Sequence, residues 1–240
     1  MCTVTCVPTN NDIIISSNRD EKTTRPIAVF PIELKSSYST LYFPKDSLDN
    51  GTWFICNNKF DVGVLLNGSE KNHIYNPPYK HSRGLILIDI FKDENPLRAL
   101  TQYDLKGIEN FTLVLFINNQ LFQARWNGSK LNIQLKNIKK PHIWSSATLY
   151  NKQMVTERET WFTEWLENND AKNILEFHAN EKKENVEYGI LMNRNNELKT
   201  ASISSVIIED HQLKMYYKDC ITKKDAEITI QITTNTTINS

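Results

Sequence analysis

The apolar residues of this chain are concentrated in short segments rich in β-branched and aromatic side chains, a pattern typical of β-strands. Thr3 to Val7 and Asp12 to Ser17 are two such segments, and the turn-forming residues between them predict a β-hairpin. Asn118-Asn119 and Asn127-Gly128 are further turn sequences, so we expect neighbouring strands to pair antiparallel. The remaining strands are predicted at Thr52 to Cys56, Val62 to Leu66, Phe111 to Asn118, Gln120 to Trp126, Leu131 to Leu135, Thr200 to Ile208, Gln212 to Tyr217 and Ala226 to Thr233.

Helical periodicity of the apolar positions occurs in two places along the chain. The first predicts helices over Arg83 to Phe91 and Pro96 to Tyr103, with Asn95 as an N-cap before a proline at the first helical position. The second predicts helices over Lys152 to Glu167 and Ala171 to Ala179. Strands, a helical pair, strands, a second helical pair and final strands favour an α+β fold: a four-layer αββα sandwich with two mainly antiparallel sheets.

Composition favours a single domain over residues 1–240. The chain is 40% hydrophobic, which suffices for a substantial core, and no Pro/Gly/Ser-rich linker or internal repeat divides it. Its 28 basic and 28 acidic residues cancel. A surface that binds nucleic acid or an anionic membrane through net charge is therefore not expected.

Neither a membrane-spanning segment nor a secretory signal is recognisable, so we expect a cytoplasmic protein without an integral membrane segment. The four cysteines Cys2, Cys6, Cys56 and Cys220 should then stay reduced. They form no CxxC pair, and the histidines are scattered without ligand spacing. We therefore predict no metal site and no cofactor.

The most informative residue for function is Cys2. Removal of the initiator methionine would leave a thiol and a free α-amino group on one carbon, which places a nucleophile and a base in the same residue. The amine has an ordinary pKa of roughly 7.7–8.0 and the thiol of about 8.5, so both lie near a useful protonation state at neutral pH.

A cation and a carboxylate follow Cys2 at hairpin distance. Folding the first hairpin about Asn10 places position 2 opposite position 18, so we expect Arg19 and Asp20 to converge on Cys2. The guanidinium would favour the thiolate, and the carboxylate would hold the ammonium or the arginine in place. The alternative is an ordinary solvated Arg-Asp pair, which contributes roughly 0–1 kcal/mol to stability.

Several motifs resemble the NRDE family, which includes the Transport and Golgi Organisation 2 proteins. Met1-Cys2-Thr3 is followed by Asn18-Arg19-Asp20-Glu21 and Arg25-Pro26. Later blocks resemble the family in the same order, at Gly51-Thr52-Trp53, Val62 to Asn67 and Ser82-Arg83-Gly84, with a weaker match at His142 to Ala147. The motifs that carry the resemblance cover roughly the first third of the chain.

The resemblance implies an N-terminal nucleophile (Ntn) hydrolase-like fold, related to the choloylglycine hydrolases and penicillin V acylases, which cleave non-peptide amide bonds. It implies that Cys2 is the nucleophile, that Arg19 and Asp20 orient it, and that Asn67 is the oxyanion donor. Asn67-Gly68 is also a strong hairpin-turn sequence, which is the structural alternative. Ser146 stands where relatives carry an asparagine, so its hydroxyl would replace an amide donor. Asn18 and Trp53 are the candidate substrate-binding residues, although a buried strand tryptophan is equally common.

Two hypotheses about function follow. The first is a cysteine-dependent amidohydrolase that acts on a small acyl amide through Cys2, Arg19, Asp20 and Asn67. The second, also implied by the resemblance, is a carrier that uses the same fold to bind a lipid or haem-type ligand without catalysis. The Ser146 departure favours the second hypothesis. The oligomeric state is open in both.

Overall fold

The computed structural model describes residues 3–180 and 187–231. In chain order these residues form β1 (Thr3–Pro8), β2 (Ile13–Lys22), β3 (Val29–Lys35), β4 (Thr40–Lys45), β5 (Phe54–Asn57), β6 (Val62–Asn67), α1 (Arg83–Phe91), α2 (Pro96–Gln102), β7 (Phe111–Ile117), β8 (Gln120–Trp126), β9 (Leu131–Lys136), β10 (His142–Ser145), α3 (Lys152–Asn168), a 3-10 turn (Ala171–Asn173), α4 (Ile174–His178), β11 (Asn193–Arg194), β12 (Leu198–Ile208), β13 (Gln212–Asp219) and β14 (Lys224–Gln231).

The strands form two seven-stranded antiparallel sheets. The first sheet has the order β10-β1-β2-β12-β13-β14, with β11 paired to β12, and the second runs in order from β3 to β9. Helices α3 and α4 pack on the outer face of the first sheet, and α1 packs on the outer face of the second. The predicted α+β class and the αββα layer order are confirmed.

The largest apolar core lies between the two sheets and extends under α1. Alternation along β1 sends Val4 and Cys6 into this core, whereas Thr3 and Thr5 face the helical layer of α3 and α4. Residues of both sheets meet across the interior, where the sulfur atoms of Cys56 and Met215 lie 3.9 Å apart. The inner faces therefore interdigitate as in a packed sandwich.

The predicted helices are confirmed, with small differences in their ends. The side chain of Asn95 accepts a hydrogen bond from the Arg98 amide, and Pro96 occupies the first turn of α2, as the sequence predicts. Asp170 likewise accepts from the Lys172 amide, although it caps a 3-10 turn before α4 instead of a continuous helix.

Four strands were missed by sequence reasoning: β3, β4, β10 and β11. Pro31 and Pro44 interrupt the first two, and proline in a strand-like segment argues against a strand unless it lies at an edge. β3 is indeed an edge strand of the second sheet. β10 and β11 have only 4 and 2 residues, too few for a recognisable period.

The first hairpin forms, but its register differs by one residue from the expected one. Thr3 pairs with Asn18 and Pro8 with Ile13, so position 18 faces position 3 instead of position 2. The turn is closed by the Thr9 amide, which donates to the Asp12 carbonyl. The expected register is therefore wrong by one residue. The difference matters for the site, because a shift of one residue in register moves side chains relative to their partners.

Within the described ranges, no helix is both long and apolar enough to cross a bilayer.

Candidate active site

A pocket of about 790 Å³ opens beside the ends of β2 and β6, between the two sheets. Of the residues predicted from sequence, it brings together Arg19, Trp53 and Asn67. The loop between β6 and α1 contributes Tyr75 and Tyr79 to its rim. The other lining residues that matter for its chemistry are Glu21, Arg25, Asp46, Asp49, Arg83 and Glu109.

Arg19 lies on the inner face of β2 and is only 4% exposed. Its Nη2 atom donates to Oδ2 of Asp46 at 2.8 Å, and Glu21 lies 3.4 Å away. The guanidinium carbon is 4.5 Å from the ring centroid of Trp53, which is cation–π distance. Arg19 is therefore a fixed, charge-compensated group in the pocket wall, and Trp53 is both the wall predicted from sequence and a buried core residue.

Asp46 is the acceptor that holds this wall together. Besides Arg19, it accepts from Arg25 through Nε at 3.0 Å and Nη2 at 2.9 Å, and from the backbone amides of Leu48 and Asp49. Burial of the carboxyl by itself raises the pKa of Asp46. The hydrogen bonds from Arg25 and from the loop amides lower it by more, so the pKa falls to about 2.

Replacement of Asp46 should change how stability depends on pH. An unfolded chain titrates Asp46 near 3.8 and the folded chain near 2. Above about pH 5 the carboxylate is ionised in both states and its stabilisation of about 2 kcal/mol is complete; as the pH falls from 3.8 towards 2, the unfolded state takes up the proton first and this stabilisation is lost. We expect the difference in free energy of unfolding between wild type and Asp46→Asn to narrow over this interval in urea titrations.

Asp49→Asn provides the matched control for this measurement. The Asp49 side chain pairs with Arg25 at 2.7 Å and is 40% exposed. Removal of this carboxylate should lower the free energy of unfolding by less than Asp46→Asn does, because exposed ion pairs contribute roughly 0–1 kcal/mol. If the difference in free energy of unfolding between wild type and Asp46→Asn stays constant down to pH 2, the pKa of Asp46 is not lowered in the folded protein.

Asp20 does not converge with Arg19. Because successive residues of a strand point to opposite faces, Asp20 projects into the layer under α3 and α4. There it accepts from the Tyr150 hydroxyl at 3.0 Å and from the Thr200 hydroxyl at 2.5 Å, and it is 3% exposed. The side chains of Arg19 and Asp20 therefore lie on opposite faces of β2, and the carboxylates that contact Arg19 are those of Asp46 and Glu21. The expected convergence of Arg19 and Asp20 on Cys2 concerns a residue outside the described ranges and stays a prediction.

A buried arginine connects the Asp20 cluster to the start of β1. Arg158 of α3 is fully buried, and its guanidinium carbon lies 4.1 Å from the centroid of the Tyr150 ring, whose hydroxyl donates to Asp20. The same guanidinium donates to the hydroxyls of Thr3 and Ser145 and to the carbonyls of Tyr188 and Gly189. Helix α3 thus fixes the residue that directly follows Cys2.

Asn18 also faces the helical layer and does not line the pocket. Its amide nitrogen donates to the carbonyls of His178 and Ile190 at 2.9 and 2.7 Å, and its oxygen meets Nδ1 of His178 at 2.5 Å. Burial and the nearby Arg158 lower the pKa of His178 to about 3, so the ring is neutral. The placement of Asn18 corrects its prediction as a substrate-binding residue, because all of these bonds are structural.

Asn67 is the last residue of β6 and lines the pocket. Gly68 follows with a φ of +80° and donates its amide to the Asn110 carbonyl, which turns the chain away from the sheet. This segment leads through a long loop to α1, so the hairpin-turn alternative for Asn67-Gly68 is wrong. No hydrogen bond joins the Asn67 side chain to another residue within the described ranges, which leaves its amide available to a ligand.

Ser146 lies behind Asn67 and is fully buried. Its hydroxyl donates to the Asn67 carbonyl at 2.9 Å and lies 3.0 Å from the Thr148 hydroxyl. The expected role of Ser146 as a donor directed at the substrate is therefore corrected, because its proton is used on the backbone of Asn67. Ser146 positions Asn67 instead.

The far wall of the pocket is a second charged cluster. Arg83, the first residue of α1, lies 3.1 Å from Glu109 and donates to the Asn110 carbonyl at 3.0 Å. His73 contacts the same Glu109 at 3.1 Å. Gly51 permits this arrangement, because a Cβ atom there would lie 2.6 Å from the backbone of Gly84 in α1. The close approach brings Arg83 towards Trp53.

The candidate nucleophile Cys2 lies outside the described residues. The three described cysteines are free thiols, and burial raises the pKa of Cys6 to about 12, that of Cys220 to about 11, and that of Cys56 well above its ordinary value. These thiols are protonated near neutral pH and poorly reactive. Residues 3–180 and 187–231 contain no cluster of three or more His, Cys, Asp or Glu side chains that could hold a metal ion.

Sequence reasoning missed Asp46, Tyr150 and Arg158. Arg158 did leave a signal: it lies four residues after Met154 and four before Phe162, on the same side of α3 as the apolar residues. A charged residue on that side requires a buried partner, which here is the Tyr150 ring together with hydroxyl and carbonyl oxygens. Asp46 lies in a loop that no periodic pattern marks.

Comparison with models of known protein families shows which family this chain belongs to. The model for Transport and Golgi organisation 2 matches residues 1–238. The chain belongs to the Transport and Golgi organisation 2 family. Nearly the whole length of this family member is matched, so the resemblance inferred from its first third extends to the C-terminal strands. No curated protein sequence matches it significantly.

Solved structures establish the fold of this Transport and Golgi organisation 2 family member. It is similar to a Caenorhabditis elegans orthologue of N-acylethanolamine-hydrolyzing acid amidase, with 13% identity, a TM-score of 0.55, and coverage of 85% of this chain and 92% of that one. Two variants of conjugated bile acid hydrolase from Clostridium perfringens give TM-scores of 0.55 and 0.51, each with 11% identity and coverage of 95% and 92%. The fold is that of the Ntn hydrolases, as predicted.

Proposed function

We propose that this protein is an amidohydrolase that uses Cys2 as an N-terminal nucleophile on a small acyl amide. The observation that carries the proposal is the pocket at the ends of β2 and β6, which is lined by a charge-compensated Arg19 and by Asn67. The similar structures are named as hydrolases of N-acylethanolamines and of conjugated bile acids, which supports an amide as the substrate class.

The placement of Thr3 and Val4 supports Cys2 as the reacting residue. Cys2 is bonded to Thr3, and the Cα atoms of bonded residues are about 3.8 Å apart. Thr3 is anchored by Arg158 on the helical side, and Val4 enters the space between the sheets. We propose that Cys2, as the neighbour of Thr3, is the residue that supplies the nucleophile to the pocket.

The reaction would proceed in two halves. The Cys2 sulfur attacks the amide carbonyl while its proton passes to the free α-amine, and the side-chain amide of Asn67 donates to the oxyanion. Collapse breaks the carbon–nitrogen bond; the leaving amine takes the proton from the α-ammonium, and a thioester remains. Water then attacks the thioester with the amine as base, which releases the carboxylic acid and restores the thiol.

Arg19 and Asp20 have separate roles in this mechanism. Arg19 adds a positive group to the pocket beside the thiol and favours the thiolate, although Asp46 neutralises much of its charge. Asp20 acts from the opposite face of the first sheet, where Tyr150 and Thr200 hold its carboxylate next to the start of β1. We propose that it positions the amino terminus.

Intact mass before and after treatment with iodoacetamide tests the proposal directly. We expect the purified protein to lack Met1 and to gain one carbamidomethyl group, located on the N-terminal residue by peptide mapping. The reason is that the mechanism requires a free amine and an accessible thiol on Cys2, whereas the described thiols are buried or hold raised pKa values. A retained Met1 would refute the mechanism, because the amine of Cys2 would then be part of a peptide bond.

The second candidate is a carrier that binds a lipid or haem-type ligand without hydrolysis. One observation favours it: Ser146 donates to the Asn67 backbone and supplies no second donor for an oxyanion. A single preorganised donor stabilises the transition state less than two. A protein that binds an acyl amide but releases no amine in any assay would support this alternative.

A further inference from the structure

The pocket at the ends of β2 and β6 is large enough for a long acyl chain, so its chemistry and not its size decides what binds there. Its volume of about 790 Å³ corresponds to roughly 25 water-sized groups, at about 30 Å³ each. Charged side chains of both signs line it. Among the described residues of the lining, the four basic ones are balanced by four acidic ones: Arg19, Lys22, Arg25 and Arg83 against Glu21, Asp46, Asp49 and Glu109.

Inside the pocket, charged side chains are more accessible than apolar ones. Trp53 and Leu65 line the pocket but are only 3% and 5% exposed. The side chains of Arg25 and Arg83 are 24% and 16% exposed. The surface that a ligand meets between the walls is therefore mainly charged.

The more exposed apolar groups of the lining lie at the rim. Tyr75 and Tyr79 meet there edge to face, with 5.5 Å between their ring centroids. Both belong to the loop between β6 and α1, and neither is part of the charged walls. These rings contact the part of a ligand near the mouth, whereas the part that reaches further in meets charged groups.

The charged groups form ion pairs that are partly exposed to the pocket. Nη2 of Arg25 lies 2.9 Å from Oδ1 of Asp46 and 2.7 Å from Oδ2 of Asp49. On the far wall, Nη2 of Arg83 lies 3.1 Å from Oε2 of Glu109. Ion pairs lose solvation when an apolar group covers them, and their mutual attraction does not fully offset that loss.

Arg83 is already partly desolvated. Burial lowers the pKa of its guanidinium, and this effect exceeds the opposing attraction of Glu109. Glu109 also contacts His73 at 3.1 Å, so its carboxylate is shared. A methylene chain laid over Arg83 would remove further water and offer no hydrogen bond in return.

A polar ligand would replace the hydrogen bonds of the displaced water. Guanidinium groups only donate hydrogen bonds, and ionised carboxylates only accept them. Because the lining carries basic and acidic groups in equal number, it matches a group that both donates and accepts and has no net charge. A carboxamide has this capacity, since its nitrogen donates and its oxygen accepts.

We propose that this pocket binds a short amide that carries a second polar group able to donate and accept hydrogen bonds, and that it selects against long apolar acyl chains. The inference rests on the proposed function for the amide that is cleaved. Arg25 and Arg83 donate to the second group, and Asp49 and Glu109 accept from it. A lipid ligand, as in the carrier hypothesis, would instead cover these ion pairs with methylene groups.

Binding of unbranched amides of increasing length tests the selection against apolar chains. Acetamide, butanamide and hexanamide are compared by thermal-shift titration on the Cys2→Ala protein, in which turnover cannot remove the ligand. A chain that is buried on an apolar wall gains about fourfold in affinity for each methylene. We expect the three affinities to differ by less than about threefold, because covering the ion pairs offsets the gain from burying the chain.

A matched pair of amides tests the second polar group. Succinamide and 4-methylpentanamide have the same number of heavy atoms and the same branching, and differ by a carboxamide in place of an isopropyl group. On the same Cys2→Ala protein we expect about 5- to 10-fold tighter binding of succinamide, because it makes hydrogen bonds that the alkyl group cannot make.

Exchange of one ion pair for apolar residues should reverse the selection. In the Arg83→Met, Glu109→Leu double variant, hexanamide should bind about fivefold tighter relative to acetamide than before the exchange. Replacement of both partners of an ion pair often leaves stability unchanged. Lys80→Met, Asp104→Leu is the matched control: this pair, at 2.8 Å, lies outside the pocket lining, so its removal should change none of the affinities.

The measurements with the unaltered pocket decide the inference even if the double variant does not fold. It is overturned by an affinity that rises more than about threefold from acetamide to hexanamide, by equal or weaker binding of succinamide, or by no binding of any of these amides at high millimolar concentration. The outcome is separable from that of the proposed function. If succinamide is preferred but the wild-type protein releases no ammonia from it, the selectivity stands and hydrolysis of this amide fails.

Discussion

Cys2→Ala is expected to abolish amide hydrolysis while leaving the fold and its melting temperature unchanged. The alanine variant keeps the amine but loses the atom that would form the thioester, and no other described thiol is placed to replace it. Loss of a covalent nucleophile typically lowers kcat by several orders of magnitude, about 10⁴-fold or more. The measurement is amine release from N-acylethanolamines, conjugated bile acids and short acyl amides.

Cys220→Ala is the matched control. Cys220 is the most accessible of the described thiols, and burial, the largest cause, raises its pKa to about 11. At pH 8 only about one thiol in a thousand would be ionised, so its removal should change neither turnover nor the rate of alkylation. If turnover persists in Cys2→Ala but is lost in Cys220→Ala, our proposal names the wrong residue as the nucleophile.

The pattern of apolar residues was sufficient to predict the layers of the fold. Long strands such as β7 and helices with capping residues such as α2 have local signals, so their positions followed from the sequence. Short or proline-containing strands such as β3 and β10 have weak local signals and form because neighbouring strands supply their partners. The positions of these short strands therefore depend on pairing partners that are distant in sequence.

The site was predicted in part, and the errors share one physical cause. Arg19, Trp53 and Asn67 were assigned to the cleft and line it. Asp20 was assigned to the same place because the first hairpin was expected to bring it to Cys2 together with Arg19, and Asn18 was assigned there as a candidate substrate-binding residue. A strand directs adjacent side chains to opposite faces, so both belong to the helical layer.

Because Arg19 and Asp20 point to opposite faces of β2, they are fixed by different groups on the two sides of the first sheet. Asp46 and Arg25 fix Arg19 from the side of the second sheet, whereas Tyr150 and Arg158 hold Asp20 and Thr3 from the side of the helices. The start of β1 lies between these supports. These contacts therefore fix residues on both faces of β2 together with Thr3, the first residue of β1 that the structure describes.

The second large effect is expected for Asn67→Ala. If the Asn67 amide donates to the oxyanion, its loss should lower kcat by about 10²- to 10³-fold with little change in KM, because the interaction forms mainly in the transition state. Stability should change little, since the side chain makes no hydrogen bond within the described ranges. The measurement is steady-state kinetics on whichever amide the wild type cleaves.

Asn132→Ala, at an exposed position of β9, is the control for loss of an asparagine side chain outside the pocket.

Ser146→Ala gives a finer test of the same geometry. Ser146 bonds to the Asn67 carbonyl and not to the pocket, so its removal should lower kcat by a smaller factor than Asn67→Ala. In an Asn67→Ala background the Ser146 substitution should add little, because a positioning residue loses its effect once the group it positions is gone. A rise in KM with unchanged kcat in Asn67→Ala would instead assign Asn67 to ground-state binding, as a carrier would use it.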